Sequence, residues 1–426
     1  MKREQIYTSY MYSYPHKTAY RPIDISRFEI EERLFCDAFG LYLHIPFCET
    51  KCGYCNLFSV TGKDEDYFDR YLTAMSDQAE QLGLDKQPVS WQSLTIGGGT
   101  PLLLSVRQLE SVLDLADRIG ALNTYSCIET SPNQTTAAKA ELLKAKQMNR
   151  VSIGVQSFIA EELKTLGRYH SPQAAGTALG ILKDSGFECL NLDLIYGIPG
   201  QTAETVRYSL DQAMAYEPDE LFVYPLYIRK GTGLYRRARV QHEDTYAFYH
   251  LIRDYLQERG YHQLSMRRFV RVRTGSTCGC GLESTLSLGC GGRSYIGSLH
   301  SCTPYAVRPA DCLKLLEEYI AQPDQRRMNF GYRLDEEEQK RRYVIKNLLH
   351  VSGIDESEYE ILFSLPAGSL GRDFPVLAQL RAAGYCSHQN RSYRLTPLGM
   401  SLSDYIGPLF ISPAVAERMV QWRMGG

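Results

Sequence analysis

Three closely spaced cysteines are the most chemically specific feature of the sequence. Cys48, Cys52 and Cys55 lie in one short segment with the spacing Cys-x3-Cys-x2-Cys. Zinc sites usually take four ligands, commonly from Cys-x2-Cys pairs or mixed Cys and His sets. Three thiolates in one loop instead suit a 4Fe–4S cluster in which one iron atom has no protein ligand. The spacing therefore favours an iron–sulfur site over a zinc loop or three core cysteines.

The overall composition limits the class of protein. The chain has 426 residues, a net charge of −2, 44% apolar and 23% charged residues, which is typical of a folded globular protein of two or three domains. No apolar run reaches the roughly 18 residues of a membrane span, and residues 1–5 lead into tyrosines rather than an apolar signal core. We therefore expect a cytoplasmic protein, in which the twelve cysteines serve as ligands, catalytic groups or core residues before disulfides.

Short β-rich runs alternate with helical patterns from Leu41 onward, which predicts βα units and a parallel sheet. The runs are 41–44, 93–96, 125–129, 150–154, 190–195 and 220–225, and the helical patterns between them are 67–82, 106–118, 136–147, 172–184 and 202–215. Six such units are fewer than the eight of a closed barrel. The sequence therefore predicts an α/β protein built on a partial (β/α)6 barrel that is open on one side.

The pattern on either side of this region predicts three further parts. Residues 1–40 read as an irregular aromatic arm, which we expect to cap the open barrel, and 41–230 are the barrel itself. Residues 231–325 form a Gly- and Cys-rich segment that we expect to complete the barrel and the substrate site. Residues 326–426 combine helical patterns (335–349 and 375–383) with a hairpin across Gln389-Asn390-Arg391, which indicates a winged-helix-like α+β module.

The residues around these cysteines resemble the motif of a known family. Tyr42-Leu43-His44-Ile45-Pro46-Phe47-Cys48, followed by Cys52 and Cys55, is similar to the signature of radical S-adenosylmethionine (SAM) enzymes, in the group of oxygen-independent coproporphyrinogen III oxidase (HemN-like). The resemblance covers about residues 41–300. It implies that the open iron chelates SAM and that an electron, from a donor such as flavodoxin or ferredoxin, cleaves SAM to methionine and a 5′-deoxyadenosyl radical.

Further motifs of that family follow in the expected order. Gly97-Gly98-Gly99-Thr100-Pro101 after the second strand resembles the segment that holds the SAM amino group, and other SAM contacts are implied at the ends of later strands. The residues that the resemblance places on SAM are Tyr42, Gly98, Gly99, Thr100, Glu129, Gln156, Arg168 and Asp193.

The sequence also departs from the family. The oxidase proper carries a further cysteine two residues after the third, where this chain has Asn56-Leu57-Phe58. Haem-trafficking relatives usually carry a His-Asn pair followed by Tyr-Trp after the barrel, and that run is missing from the sequence. We therefore expect a divergent member acting on a tetrapyrrole-like or heteroaromatic substrate. Two alternatives stay open: a methyltransferase or cyclopropanase using two SAM molecules, and a haem-binding protein with little SAM turnover.

A second group of cysteines lies in the Gly-rich segment. Cys278, Cys280, Cys290 and Cys302, with His300, fall within 25 positions and could bind a second metal or supply a catalytic, proton-donating thiol. The simpler interpretation is that these cysteines are small apolar side chains that fill space in a substrate loop. We retain Cys290, Cys302 and His300 as weak catalytic candidates.

Charge patterning limits the partners. Arg236, Arg237, Arg239, Arg267, Arg268, Arg271 and Arg273 form a local basic excess. We expect a solvated face, with a clamp for substrate carboxylates as the alternative. Residues 331–426 have 11 Arg+Lys and 11 Asp+Glu, which is too neutral for a DNA reader. We expect a monomer that binds a small-molecule substrate and has neither a nucleic-acid partner nor a membrane span.

Overall fold

The computed structural model describes residues 6–7, 11, 13–237, 239–272, 283–324 and 328–422. Strands in these ranges are β1 Arg21–Pro22, β2 Ala38–Ile45, β3 Ser90–Gly98, β4 Tyr125–Thr130, β5 Arg150–Gln156, β6 Cys189–Tyr196, β7 Glu220–Pro225, β8 His262–Gln263, β9 Arg268–Val270, β10 Ser284–Leu288, β11 Arg293–Ile296, β12 Leu299–Cys302, β13 Phe330–Arg333, β14 Ile354–Asp355, β15 Cys386–Gln389 and β16 Ser392–Leu395.

The helices of the same ranges alternate with the strands in the first half of the chain. They are α1 Arg27–Leu34, α2 Glu65–Gln81, α3 Val106–Arg118, α4 Ala137–Ala145, α5 Ala160–Leu166, α6 Pro172–Ser185, α7 Ala203–Met214, α8 Gly233–Arg236, α9 Thr245–Glu258, α10 Pro309–Ala321, α11 Glu336–Leu348, α12 Glu356–Leu362, α13 Ser369–Asp373, α14 Val376–Ala382, α15 Pro397–Ser401, α16 Ser403–Ile406 and α17 Pro413–Gln421. Among the helices described, none has the length and apolar character needed to cross a membrane.

The predicted parallel sheet is confirmed. Strands β2 to β7 pair in parallel in chain order, β10 pairs in parallel with the free side of β2, and β9 pairs antiparallel with β7. The full order is β1-β13-β12-β11-β10-β2-β3-β4-β5-β6-β7-β9-β8, and its end strands do not pair with each other within the described ranges. The protein is therefore α/β with an open sheet, as the six βα units predict.

Helices cover this sheet because each has one apolar face. Helix α2 begins after Asp64, whose carboxylate accepts from the Tyr67 amide at 2.9 Å, and it buries Phe68, Tyr71 and Met75 against the sheet. Capping of this kind satisfies an otherwise unpaired N–H group at the helix start. The strands supply the other side of the core, since β2 to β7 are mostly buried along their whole length, as expected for parallel strands covered on both faces.

The prediction of an irregular N-terminal arm is wrong for residues 21–40. Strand β1 pairs with β13, α1 occupies residues 27–34, and β2 begins at Ala38 rather than Leu41. Of the side chains that the structure describes in helix α1, Ile30 and Leu34 are the buried apolar ones, so the apolar pattern is short. The signal that the sequence does carry is a capping box, in which Ser26 and Glu29 each accept the other's backbone N–H.

The C-terminal region contains the predicted hairpin, β15 and β16, and two strands that the sequence did not predict: β13, which pairs with β12 and β1, and β14, which pairs with β16. The order α11, β14, α12, α14, β15, β16 is winged-helix-like. Its core includes Tyr14 and Tyr20 from the N-terminal segment, and the Tyr14 hydroxyl donates to the buried Glu338 carboxylate. Tyr14 and Tyr20 are therefore packed against residues of the last hundred positions.

Candidate cluster and cofactor site

The cysteine loop follows β2 directly and is held at three points by backbone hydrogen bonds. The Cys48 amide donates to Val60 O at 3.0 Å, the Gly53 amide to Leu166 O at 2.8 Å, and the Leu234 amide to Gly53 O at 2.7 Å. All three thiols of the loop are free and partly buried. The loop is thus fixed between the end of α5 and the start of α8, at the carboxyl ends of the strands where α/β enzymes place their chemistry.

The thiols lie close enough to influence one another. Burial raises the pKa of Cys48 to about 12, and the neighbouring Cys55 and Cys52 contribute; burial also raises the pKa of Cys55. Hydrogen bonds reach two of the sulfurs: Arg168 Nη1 donates to Cys52 Sγ at 3.3 Å and Thr100 Oγ1 donates to Cys48 Sγ at 3.7 Å.

In the described ranges no group of three His, Cys, Asp or Glu side chains has the geometry of a metal-ion site. An iron–sulfur cluster binds each cysteine through a different iron atom. Three soft thiol donors with a cationic neighbour fit such a group.

The glycine turn at the end of β3 packs directly on this loop. A Cβ atom on Gly99 would lie 2.5 Å from Phe47 O and 2.9 Å from Cys48 Sγ, so only glycine allows this approach. Gly98 has φ +122°, and its amide donates to Glu129 Oε2 at 3.1 Å. The structure therefore brings Gly98, Gly99, Thr100 and Glu129 together beside the first cysteine.

Strands β5 and β6 bring the remaining predicted residues to the same edge. Gln156 ends β5 at a bulge with φ +74°, and its Nε2 lies 2.8 Å from the position that a Cβ on Gly154 would take. Gly154 is also the register partner of Asp193, and Arg168 donates to Gly154 O. Gln156, Arg168 and Asp193 therefore surround one glycine.

Two buried carboxyl groups lie in this region. Burial raises the pKa of Asp193 to about 7, although Asn191 Nδ2 donates to its Oδ1 at 2.7 Å. Burial likewise raises the pKa of Glu129. Carboxyl groups of this kind can accept hydrogen bonds from hydroxyl or ammonium groups of a bound ligand.

Comparisons with known proteins agree with this arrangement. The model of the Radical SAM superfamily matches residues 42–213, the part that carries the cysteine loop and the strand ends. A solved structure, "Coproporphyrinogen III oxidase (HemN) from Escherichia coli is a Radical SAM enzyme.", has a TM-score of 0.81, with 23% identity over 95% of this chain and 99% of that chain. That likeness shows the fold.

Two relatives from bacteria are similar in sequence. "Heme chaperone HemW" of Bacillus subtilis (strain 168) is 27% identical over 87% of this chain and 98% of its own length. "Oxygen-independent coproporphyrinogen III oxidase" of Pseudomonas aeruginosa is 33% identical over 51% of this chain and 48% of its own length. Residues 42–213 form a radical SAM domain. Proteins of this superfamily generally use a 4Fe–4S cluster and SAM.

One residue of this HemN-like protein was not predicted as part of the site. His44, on β2, forms hydrogen bonds through both ring nitrogens. Its Nε2 donates to Phe58 O at 3.2 Å, and its Nδ1 is 3.3 Å from Tyr42 Oη. A Cβ on Gly98 or on Gly291 would lie 2.7 or 2.6 Å from its ring. The histidine thus joins Tyr42 to the glycine turn, and the motif Tyr-x-His was the available signal.

Of the catalytic candidates, Cys290 and His300 are buried and Cys302 is partly buried. Cys290 Sγ donates to Leu315 O at 3.6 Å and burial raises its pKa; burial also raises the pKa of Cys302 to about 11. His300 is 0% exposed. In the described part of the chain these three side chains form no metal-binding group, and Cys278 and Cys280 lie outside the described residues. A catalytic role for Cys290, Cys302 or His300 stays a prediction.

The expected solvated face agrees with the exposed Arg271, whereas Arg267 and Arg268 form ion pairs that are largely buried. Arg267 is 6% exposed and pairs with the buried Asp404. Arg268 pairs with the buried Glu220, and Arg271 with Asp219 at 2.9 Å. Arg271 is 52 residues from Asp219 in the sequence, and Arg267 is 137 residues from Asp404. Counting charges within a local segment could therefore not find these pairs. Arg236, Arg237 and Arg239 are exposed, and Arg273 lies outside the described residues.

Proposed function

We propose that this HemN-like protein is an oxidoreductase that holds a 4Fe–4S cluster on Cys48, Cys52 and Cys55 and cleaves SAM reductively. When bound, the cluster supplies the electron that turns SAM into methionine and a 5′-deoxyadenosyl radical, which then abstracts hydrogen from a small organic substrate. The observation that carries the proposal is a fixed loop with three free thiols, the first of which, Cys48, lies directly beside the glycine turn of β3.

The chain's own residues would hold SAM against that loop. We propose that Gly98, Gly99 and Thr100 face the SAM amino group and that Glu129 accepts from it. Arg168 would face the carboxylate, for which a guanidinium fork is well suited. The remaining contacts that we propose are Tyr42, Gln156 and Asp193.

The first experiment tests the cluster. Anaerobically reconstituted protein should contain about four iron atoms per chain and form 5′-deoxyadenosine when a reductant and SAM are added. Cys52→Ala should lose both iron and product. Cys36→Ala is the matched control, because Cys36 is exposed, and it should retain both. Full iron content and activity in Cys52→Ala would contradict the proposal.

The second candidate function is haem binding. It is supported by the relative from Bacillus subtilis, whose name is "Heme chaperone HemW", whereas the relative from Pseudomonas aeruginosa is named as an oxidase. Titration of the reconstituted protein with haem, followed by its absorbance, separates the two candidates if it is run beside product analysis. Stoichiometric haem binding without 5′-deoxyadenosine would favour the carrier.

The same product analysis distinguishes the type of radical chemistry. We propose a tetrapyrrole-like or heteroaromatic substrate, as in porphyrin biosynthesis. Accumulation of S-adenosylhomocysteine together with 5′-deoxyadenosine would instead favour a methyltransferase or cyclopropanase that uses two SAM molecules, because methyl transfer leaves that product. Mass spectrometry of the small molecules formed with each candidate substrate measures both.

A further inference from the structure

A buried histidine away from the cysteine loop lacks one hydrogen-bond partner. His300 lies on β12 and is 0% exposed. Its Nδ1 is 3.2 Å from the hydroxyl of Tyr20, which is also buried. Its Nε2 has no partner in the described part of the protein. Buried polar atoms are normally paired, so an unpaired one points to a missing ligand.

The hydrogen of this imidazole can be placed from its surroundings. Burial and the positive charges of Arg342, Arg293 and Lys346 lower the pKa of His300 well below its ordinary value, so the ring is neutral and carries one hydrogen. Burial raises the pKa of Tyr20, so its hydroxyl keeps its hydrogen. Among the hydrogen bonds that the structure describes, this hydroxyl reaches only His300 Nδ1, so it donates that hydrogen to Nδ1. We therefore place the ring hydrogen on Nε2, which is a donor without an acceptor.

Cationic side chains from two further elements lie over a tyrosine ring that packs against His300. Arg342, on α11, lies over the Tyr295 ring at 5.2 Å, and Arg293, on β11, lies over the same ring at 5.9 Å. The Tyr295 and His300 rings are 4.6 Å apart. Arg342 Nη2 is buried without a hydrogen-bond partner, and Arg342 forms no ion pair with any residue that the structure describes.

We propose that His300, Arg342 and Arg293 form a binding site for an anionic oxygen group, a carboxylate or a phosphate, between the β11–β12 hairpin and α11. The two unpaired atoms, His300 Nε2 and Arg342 Nη2, are both donors, and an oxyanion accepts from both. Arg293, Arg342 and Lys346 are partly exposed, so an anion can reach the site from solvent. None of these residues belongs to the proposed cluster or SAM site, so the inference stands apart from the proposed function.

Titration calorimetry of the full-length reconstituted protein tests this site, with inorganic phosphate and isophthalate as separate probes and no SAM present. The wild-type protein should bind at least one probe saturably. Arg342→Gln should weaken that binding at least about tenfold, because it removes the charged guanidinium that would pair with the anion away from water. Arg341→Gln is the matched control on the same helix, since Arg341 Nη1 donates to Phe410 O at 3.2 Å instead, and it should bind as the wild type does.

The outcomes separate the two ligand chemistries. Tighter binding of phosphate identifies a phosphate group and tighter binding of isophthalate a carboxylate, and either supports the site. Absence of saturable binding for both probes, or unchanged affinity in Arg342→Gln, overturns it. If circular dichroism shows that Arg342→Gln is unfolded, Arg293→Gln replaces it, and unchanged affinity there overturns the proposal equally. Because SAM is absent, these results do not depend on whether the protein cleaves SAM.

Discussion

Arg168 Nη1 donates a hydrogen bond to Cys52 Sγ at 3.3 Å, which joins the residues after α5 to the cysteine loop. The same guanidinium donates to Gly154 O on β5. The positive charge of Arg168 therefore lies beside one proposed cluster ligand and beside the strand that ends at Gln156. Donors to metal-bound sulfur orient the ligand and adjust the properties of the metal.

Replacing Arg168 should impair SAM cleavage more than it impairs folding. We expect Arg168→Gln to lower the rate of 5′-deoxyadenosine formation about 10–100-fold, the usual effect of losing a group that supports a metal ligand. Arg118→Gln is the control, because Arg118 is exposed on α3 and donates only to Ser76 among the hydrogen bonds described. A wild-type rate in Arg168→Gln, measured by chromatography of the products, would show that this guanidinium is dispensable.

Gly99 should not tolerate a side chain. A Cβ there would lie 2.5 Å from Phe47 O and 2.9 Å from Cys48 Sγ, so Gly99→Ala must displace the cysteine loop. We expect lower iron content per chain after reconstitution and loss of most of the SAM cleavage. The measurement is an iron assay together with the absorbance of the reconstituted protein.

Gly180→Ala provides the matched control for that substitution. Gly180 lies within α6, and a Cβ there would meet nothing within 4 Å. Alanine has the higher helix propensity, so this variant should gain about 0.5–1 kcal/mol in free energy of unfolding and keep its iron content. Equal iron content in Gly99→Ala and Gly180→Ala would mean that the close contact at Gly99 is not needed for the cluster.

The sequence predicted those parts of the molecule whose signals are local. Each predicted strand of the parallel sheet was confirmed, since runs such as 221–225 are continuous apolar segments between helical patterns. Helix α1 was missed because five of its eight residues are charged, which leaves no clear apolar face in the sequence. Strand β14 was missed because two residues, Ile354 and Asp355, are too short to show alternation.

Contacts between distant segments could not be read from the sequence. Arg267 pairs with Asp404, 137 residues further along the chain, and Tyr20 reaches His300 across 280 residues. No spacing rule connects such positions, because their proximity depends on how the sheet and the last hundred residues pack together. The site residues predicted from the family motifs did converge, since those motifs lie at the ends of adjacent parallel strands.

The buried carboxylate of Glu220 should be critical for stability. Arg150 donates to Glu220 Oε2 at 2.8 Å and Arg268 pairs with the other oxygen, while Glu220 is 2% exposed. Glu220→Gln leaves two largely buried guanidinium groups without their anion, so we expect a loss of about 3–5 kcal/mol in free energy of unfolding. Urea denaturation of the apo protein measures it.

An exposed ion pair near the same end of the sheet is the comparison. Lys183 and Glu217 are 2.9 Å apart but both side chains are largely exposed, so water screens their attraction. We expect Glu217→Gln to change the denaturation midpoint little. Similar losses in Glu220→Gln and Glu217→Gln would show that burial does not set the strength of these pairs.

Asp193 should make the apo protein less stable as the pH rises through the weakly acidic range. Burial raises its pKa to about 7 in the folded state, against about 3.9 in an unfolded chain. Between these values the folded protein binds the extra proton, so the free energy of unfolding falls as pH increases from about 4 to about 7. Asp193→Asn, which is neutral throughout, should remove this part of the pH dependence and should be more stable than the wild type at pH 8.

Denaturation at pH 5 and pH 8 measures this difference, with Asp184→Asn as the control because Asp184 is exposed near the end of α6. The gap in stability between pH 5 and pH 8 should shrink in Asp193→Asn and stay at its wild-type size in Asp184→Asn. An unchanged gap in Asp193→Asn would mean that Asp193 is ionised in the folded protein at pH 5, so that the hydrogen bond from Asn191 outweighs the cost of burying the charge.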